Sequence, residues 1–197
     1  MESCCVRMCG AALHLEANSG ALRIQWRKAA GRSRVSRSSV SRSRSPLGRS
    51  ADAKLLRVGV DMVRRWQRIG SVNTRVLRSL LPEASAFTTA CWLAAATIPC
   101  GSTRTYAQLA VLAGRRGAAR AAASAMARNP LPPLIPCHRV VARDGIGGFC
   151  GIAQRARRHW AIRLKQALFL RERAHDPYTS TPSIGRTVRK SPQRSHA

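Results

Sequence analysis

The chain has 197 residues and carries 35 Lys and Arg against 8 Asp and Glu, a formal charge of +27. A field of that size attracts polyanions, so nucleic acid is the first expected partner and an anionic membrane surface the competing one. Seven cysteines, odd in number and scattered (Cys4, Cys5, Cys9, Cys91, Cys100, Cys137, Cys150), do not form a secreted disulfide framework. With no apolar run near the roughly 18 residues of a spanning helix, a soluble protein of the reducing cytoplasm is expected, with no membrane partner.

Residues 21–50 hold nine basic residues, no acid, and the run SRSSVSRSRSPLGRS. Such a segment repels itself, so residues 1–52 are expected to form a disordered basic arm, either bound to nucleic acid or simply solvated. MESCCVRMC groups three thiols, but no second pair follows at zinc spacing, and no metal site is expected. Residues 53–85 show mixed apolar spacing that supports an amphipathic segment without fixing its limits.

From Phe87 the pattern sharpens. FTTACWLAAATI is apolar at helical spacing; Pro99 and Gly101 break it, and Thr103 or Thr105 can cap a second helix carrying Tyr106, Leu109, Ala110 and Ala113. That helix stops at Gly114, and after the connection GRRG the run AARAAASAMAR makes a third helix ending at Asn129-Pro130. Two short helices joined this way outline a helix-turn-helix or any helical hairpin. Charge favours the first, since residues 86–172 hold thirteen Lys and Arg but only two acids, Asp144 and Glu172.

PLPPLIPCHRVV cannot be helical, because its four prolines remove donors and force extended geometry on their predecessors. It presents Cys137 on a rigid approach, followed by the glycine-rich DGIGGF. A closing helix with Trp160, Leu164 and Leu168 on one stripe then runs to near Glu172, and residues 173–197 read as a polar tail expected to be disordered.

A thiol becomes a good nucleophile as thiolate, and a neighbouring base or cation promotes that change. His138 is the adjacent base and Arg139 adds charge. Adjacent side chains rarely face each other, so the proton is expected to pass through a water held jointly with Asn129. The tautomer of His138 calls for a carboxylate, for which Glu172 is a better candidate than the loop residue Asp144. On these residues alone, a buried structural thiol beside a hydrogen-bonded imidazole remains open.

IPCGSTRTYAQLA, GAARAAASAMARNP and IPCHRVV, followed by DGIGGF, occur in order, and over residues 86–172 the chain resembles the 6-O-alkylguanine-DNA alkyltransferases. The resemblance implies a mostly α domain with a winged-helix-like helix-turn-helix, flanked by disordered tails. It implies irreversible, single-turnover transfer of an alkyl group from 6-O-alkylguanine in double-stranded DNA to Cys137, by a monomer that needs no cofactor. His138, Asn129 and Glu172 would serve the proton relay. Tyr106 would assist rotation of the nucleotide and hydrogen-bond the base. Arg120 would fill the hole left by the flipped base, with Ala118, Ala119 and Ala121 allowing close approach to the groove and Arg139 adding a DNA-facing cation. Backbone at Val140 and Cys150 would contact the flipped base.

Two departures from the family pattern stand out. About ten extra residues separate the glycine loop from the end of the closing helix, and the family's N-terminal domain is not recognisable in residues 1–85, where 53–85 reads as a divergent or truncated segment. A non-catalytic lesion-binding protein of the same fold, or a general basic nucleic-acid-binding protein, are the alternative functions.

Overall fold

The computed structural model describes residues 2–9, 11–28, 50–153, 155–156 and 158–174. It opens with a three-stranded antiparallel meander, β1 (Glu2–Met8), β2 (Ala11–Asn18) and β3 (Ala21–Lys28), paired in the order β1-β2-β3. The expected disordered arm over residues 1–52 is therefore corrected for its first half. Counting charge across 21–50 concealed a period of two: Leu22, Ile24 and Trp26 point inward while Arg23, Gln25 and Arg27 point outward. The same alternation buries Ala11, Leu13, Leu15 and Ala17 of β2. The Ser/Arg-rich run itself, residues 29–49, lies outside the described residues, as does the tail from 175 onward.

Helix α1 (Ala51–Ile69) packs across this sheet with Leu56, Gly59, Val60, Val63 and Trp66 inward, a spacing of three and four that makes one continuous stripe. Its first-turn Asp52 accepts from the amides of Ser19 (3.2 Å) and Gly20 (2.9 Å), which fixes the β2–β3 hairpin on the helix start. A Cβ at Gly59 would lie 2.7 Å from Leu22 Cδ2, so glycine lets helix and sheet approach closely. The amphipathic segment expected after residue 53 is thus α1, followed by the short α2 (Thr74–Ser79) capped by Asn73.

The remaining core is helical. α3 (Ala86–Ala96) carries Trp92, whose indole donates to Ala125 O at 2.8 Å and ties it to the later helix that holds Ala125. α4 (Tyr106–Leu112) begins in a capping box in which Thr105 and Gln108 satisfy each other's backbone amides. Gly114 and Gly117, both left-handed, frame the turn into α5 (Ala119–Ala127). The strands β4 (Arg104–Thr105) and β5 (Val140–Val141) pair in parallel, and α6 (Trp160–Ala174) closes the domain. The result is a mostly helical fold containing a helix-turn-helix, α4 and α5. The expected tail begins inside α6, which reaches Ala174.

Candidate active site

Everything at the site follows from how the proline-rich segment is fastened. Asn129, just beyond α5, accepts from Leu131 N through Oδ1 (3.0 Å) and donates through Nδ2 to Ile135 O (2.8 Å) and to Cys137 Sγ (3.1 Å). Pro130 O accepts from Ile24 N at 3.0 Å, so β3 also grips this corner. Cys137 opens a 3-10 turn, Cys137–Arg139, with its own N–H on Ile135 O. The Asn129 amide reaches the sulfur directly.

The thiol lines a cavity of about 220 Å³ together with Tyr106, Ala123, Met126, Ala127 and Gly148. Burial pushes the Cys137 pKa up; the Asn129 amide, the Lys165 charge and nearby backbone amides pull the other way without prevailing. At rest the group is a thiol rather than a thiolate. Cys150 also lines the cavity, at the tip of a two-residue turn between Phe149 and Ile152, with φ of 50° followed by 76° at Gly151. Two positive values in succession make this a type I′ turn, which few non-glycine residues enter at the first central position.

Behind the thiol lies a buried network of His138, Glu172 and Arg139. His138 Nε2 is 2.7 Å from Glu172 Oε1, and Arg139 grips the same carboxylate through Nε (2.9 Å to Oε2) and Nη2 (2.8 Å to Oε1). Gly101 N–H adds a donor to Oε2 at 3.3 Å. Burial alone would raise the Glu172 carboxyl, but the hydrogen bonds and charges of His138 and Arg139 outweigh it and hold the pKa at about 2. An ionised carboxylate only accepts, so Nε2 of His138 must carry the proton and Nδ1 the lone pair. Burial, opposed by Glu172, keeps the His138 pKa below its ordinary value, leaving the ring neutral.

The extra residues before the closing helix leave this geometry intact. α6 starts at Trp160, and Lys165 and Glu172, seven apart, fall two turns from each other on one face. Lys165 was not singled out from the sequence, yet it is fully buried and donates to Val140 O (2.6 Å) and Gly148 O (3.0 Å). Its signal was a cation set inside an apolar run, between Leu164 and Leu168. Burial lowers its pKa to about 8, against the opposing pull of Cys137 and Cys150. Lys165 thus bridges β5 and the glycine loop beside the sulfur.

Tyr106 lies over this bridge, with the Lys165 ammonium 6.0 Å from its ring centroid and its hydroxyl donating weakly to Gly148 O at 3.5 Å. Burial pushes its phenol up to about 12, so it remains a proton donor. A Cβ on Gly147 would lie 3.1 Å from the tyrosine ring and hydroxyl, and its φ is +74°, so the glycine loop needs its glycine here.

The DNA-facing expectations divide. Arg120 is exposed in the first turn of α5, on the same stripe as the cavity residues Ala123 and Ala127, and Ala121 beside it is exposed while Ala118 and Ala119 are half-buried. No side chain caps the start of α5, at Ala118. Arg139 must be corrected: it is 1 % exposed, with Nη1 on Ile98 O (2.6 Å), Nη2 on Gly70 O and the rest of its fork on Glu172, so it holds the relay and cannot face DNA. A cation beside a Cys-His pair looks solvent-facing until its buried carboxylate is located. Val140 is fully buried and is not among the residues lining the cavity; its carbonyl serves Lys165.

Residues 86–174 match the family model described as the DNA-binding domain of 6-O-methylguanine DNA methyltransferase. The chain is 41% identical over 110 residues to the regulatory protein ada of Salmonella typhimurium, covering 54% of this chain and 29% of that protein. It is 49% identical over 72 residues to the methylated-DNA--protein-cysteine methyltransferase of Mus musculus, covering 36% and 34%. The crystal structure of Mycobacterium tuberculosis OGT in complex with DNA superposes with a TM-score of 0.55 at 25% identity, covering 86% of this chain and 91% of that one. The chain spans less than half the length of the first curated relatives it matches.

Proposed function

We propose that this chain, whose residues 86–174 match the model of the 6-O-methylguanine DNA methyltransferase DNA-binding domain, repairs alkylated DNA by direct reversal, transferring a methyl or larger alkyl group from O6 of guanine to Cys137. The alkylated oxygen lies within the base stack, so the nucleotide must be rotated out before any thiol can reach it. Arg120, exposed at the front of α5, occupies the vacated place in the duplex, and the small Ala118, Ala119 and Ala121 let the helix approach the minor groove. The flipped base enters the cavity between α5 and the glycine loop, where Tyr106 donates a hydrogen bond to it and Cys150 flanks it.

His138 Nδ1 takes the proton of the Cys137 thiol through a bridging water held with Asn129, and the imidazolium so formed is held by ionised Glu172. The sulfur attacks the alkyl carbon in line, forming the S–C bond as the C–O6 bond breaks. The bonding pair passes to guanine, which recovers the proton and leaves as the normal base. A thioether is a poor leaving group, so each molecule acts once, and no cofactor takes part.

The observation that carries this reading is the Cys137 sulfur on a cavity wall, held by Asn129 at 3.1 Å, one residue from the His138–Glu172 pair. No helix among the described residues is long and apolar enough to cross a membrane, and chemistry that needs a free thiol suits the reducing cytoplasm. The test uses a duplex with one 6-O-methylguanine and excess protein. Native protein should clear the methyl group from the DNA, whereas Cys137→Ala should bind the duplex and leave it methylated. A basic protein with a merely structural Cys-His pair would bind undamaged and methylated DNA alike and clear neither.

A further inference from the structure

The relay lies in the matched domain, but a wall of it comes from outside. Trp66, in the last turn of α1, is 5 % exposed and meets the His138 ring edge to face, with centroids 5.7 Å apart and planes at 88°. Its indole Nε1–H is buried with no hydrogen-bond acceptor among the described residues. A buried donor left without a partner is unfavourable, so this ring is not the cheapest apolar filler for the position.

Four residues later the same turn ends at Gly70, whose N–H bonds Trp66 O at 2.8 Å and whose carbonyl accepts from Arg139. A Cβ there would lie 2.7 Å from Cys100 Sγ. One helical turn therefore touches both His138, through Trp66, and the arginine that orients Glu172, through Gly70. The charged and titratable groups facing His138 are Glu172 and Lys165 from α6 and Cys137 and Arg139 from its own turn. From α1 it meets the uncharged Trp66.

We propose that Trp66 is a positioning residue for alkyl transfer: its ring covers the His138 imidazole, keeps water from it, and so holds the base uncharged in the orientation Glu172 sets. This rests on the alkyl-transfer reading for its consequence, but not for the placement itself. A neutral ring at rest is what lets His138 accept the Cys137 proton; a hydrated ring would already hold one at mildly acidic pH and could accept none.

The test follows the His138 ring nitrogens by NMR in the full chain as pH is varied, alongside the single-turnover rate of Cys137 methylation by 6-O-methylguanine duplex. Wild type should keep His138 neutral at pH values where an exposed histidine, with pKa about 6.5, is half charged. In Trp66→Leu the titration should rise toward that ordinary value and the acid limb of the rate profile should rise with it. Trp66→Phe, which keeps an apolar ring, should stay near wild type. A folded Trp66→Leu with unmoved titration overturns the proposal, and so does an ordinary titration of His138 in wild type, a result that needs no variant to fold. Shifts as expected with no methyl transfer in any protein would strike the alkyl-transfer reading and leave the role of Trp66 on the ring standing.

Discussion

The Asn129 side chain donates directly to the Cys137 sulfur at 3.1 Å while its other amide contacts, to Ile135 O and Leu131 N, pin the backbone on either side. One residue thus fixes the nucleophile's position and favours its anion, because a hydrogen bond to a charged acceptor is worth roughly twice one to a neutral acceptor. Asn129→Ala should slow methylation of Cys137 by about tenfold or more, corresponding to the loss of about 1.4 kcal/mol or more from one such bond. Single-turnover kinetics at saturating duplex would read it; an unchanged rate in a folded variant would show that the contact is only structural.

Glu172 should govern stability as well as the proposed proton flow. Its pKa in the folded protein is about 2, below the ordinary 4.5, so its contribution is fully present above pH 4.5 and is lost as pH falls from there toward 2. Buried His138, also lowered, acts in the same direction as the medium turns acid. Glu172→Gln should flatten that acid dependence in denaturant titrations. It should also cost about 3–5 kcal/mol at neutral pH, because Arg139 would keep a buried charge without a carboxylate.

Lys165 supplies a buried positive charge that favours the Cys137 anion. With a pKa of about 8 it is charged at neutral pH and loses its charge as pH rises through that value, so its help to a Cys137 thiolate fades at alkaline pH. Lys165→Met should therefore lower the rate at which iodoacetamide alkylates Cys137 near pH 7 by roughly tenfold, the equivalent of about one pKa unit. The deficit should shrink above pH 8. A pH-independent deficit would instead point to loosening of Gly148 and Val140, whose carbonyls the variant leaves unpaired.

Arg120→Ala separates base extrusion from chemistry. Rotating a paired guanine out of the stack costs a few kcal/mol, so loss of the residue that fills its place should slow repair in duplex by roughly tenfold or more. Reaction with the free base 6-O-methylguanine, which needs no extrusion, should be nearly unaffected. Equal loss on both substrates would place Arg120 elsewhere in the mechanism.

Local chemistry was legible before the fold was. Thr105, Gly114 and the alanine-rich run after Gly117 mark α4 and α5 because caps, left-handed turns and helix propensity act within a few residues. The pairing of His138 with Glu172 could be anticipated because residues 86–172 offered only two acids. What stayed hidden depends on distant partners. Arg139 looked exposed because nothing near it in sequence reveals Gly70 O, Ile98 O and Glu172 converging on it. Trp66 meets His138 across 72 positions. Strand β3 was obscured because its arginines were summed with the Ser/Arg run instead of being placed on the outward face of an alternating strand.

The central claim concerns one sulfur. After reaction with duplex DNA carrying 6-O-methylguanine, tandem mass spectrometry of the digested protein should place a single added methyl on Cys137, at no more than one equivalent per chain, with Cys150 and the other thiols unmodified. A methyl group on a different residue, or repaired DNA with Cys137 still a free thiol, would contradict the account.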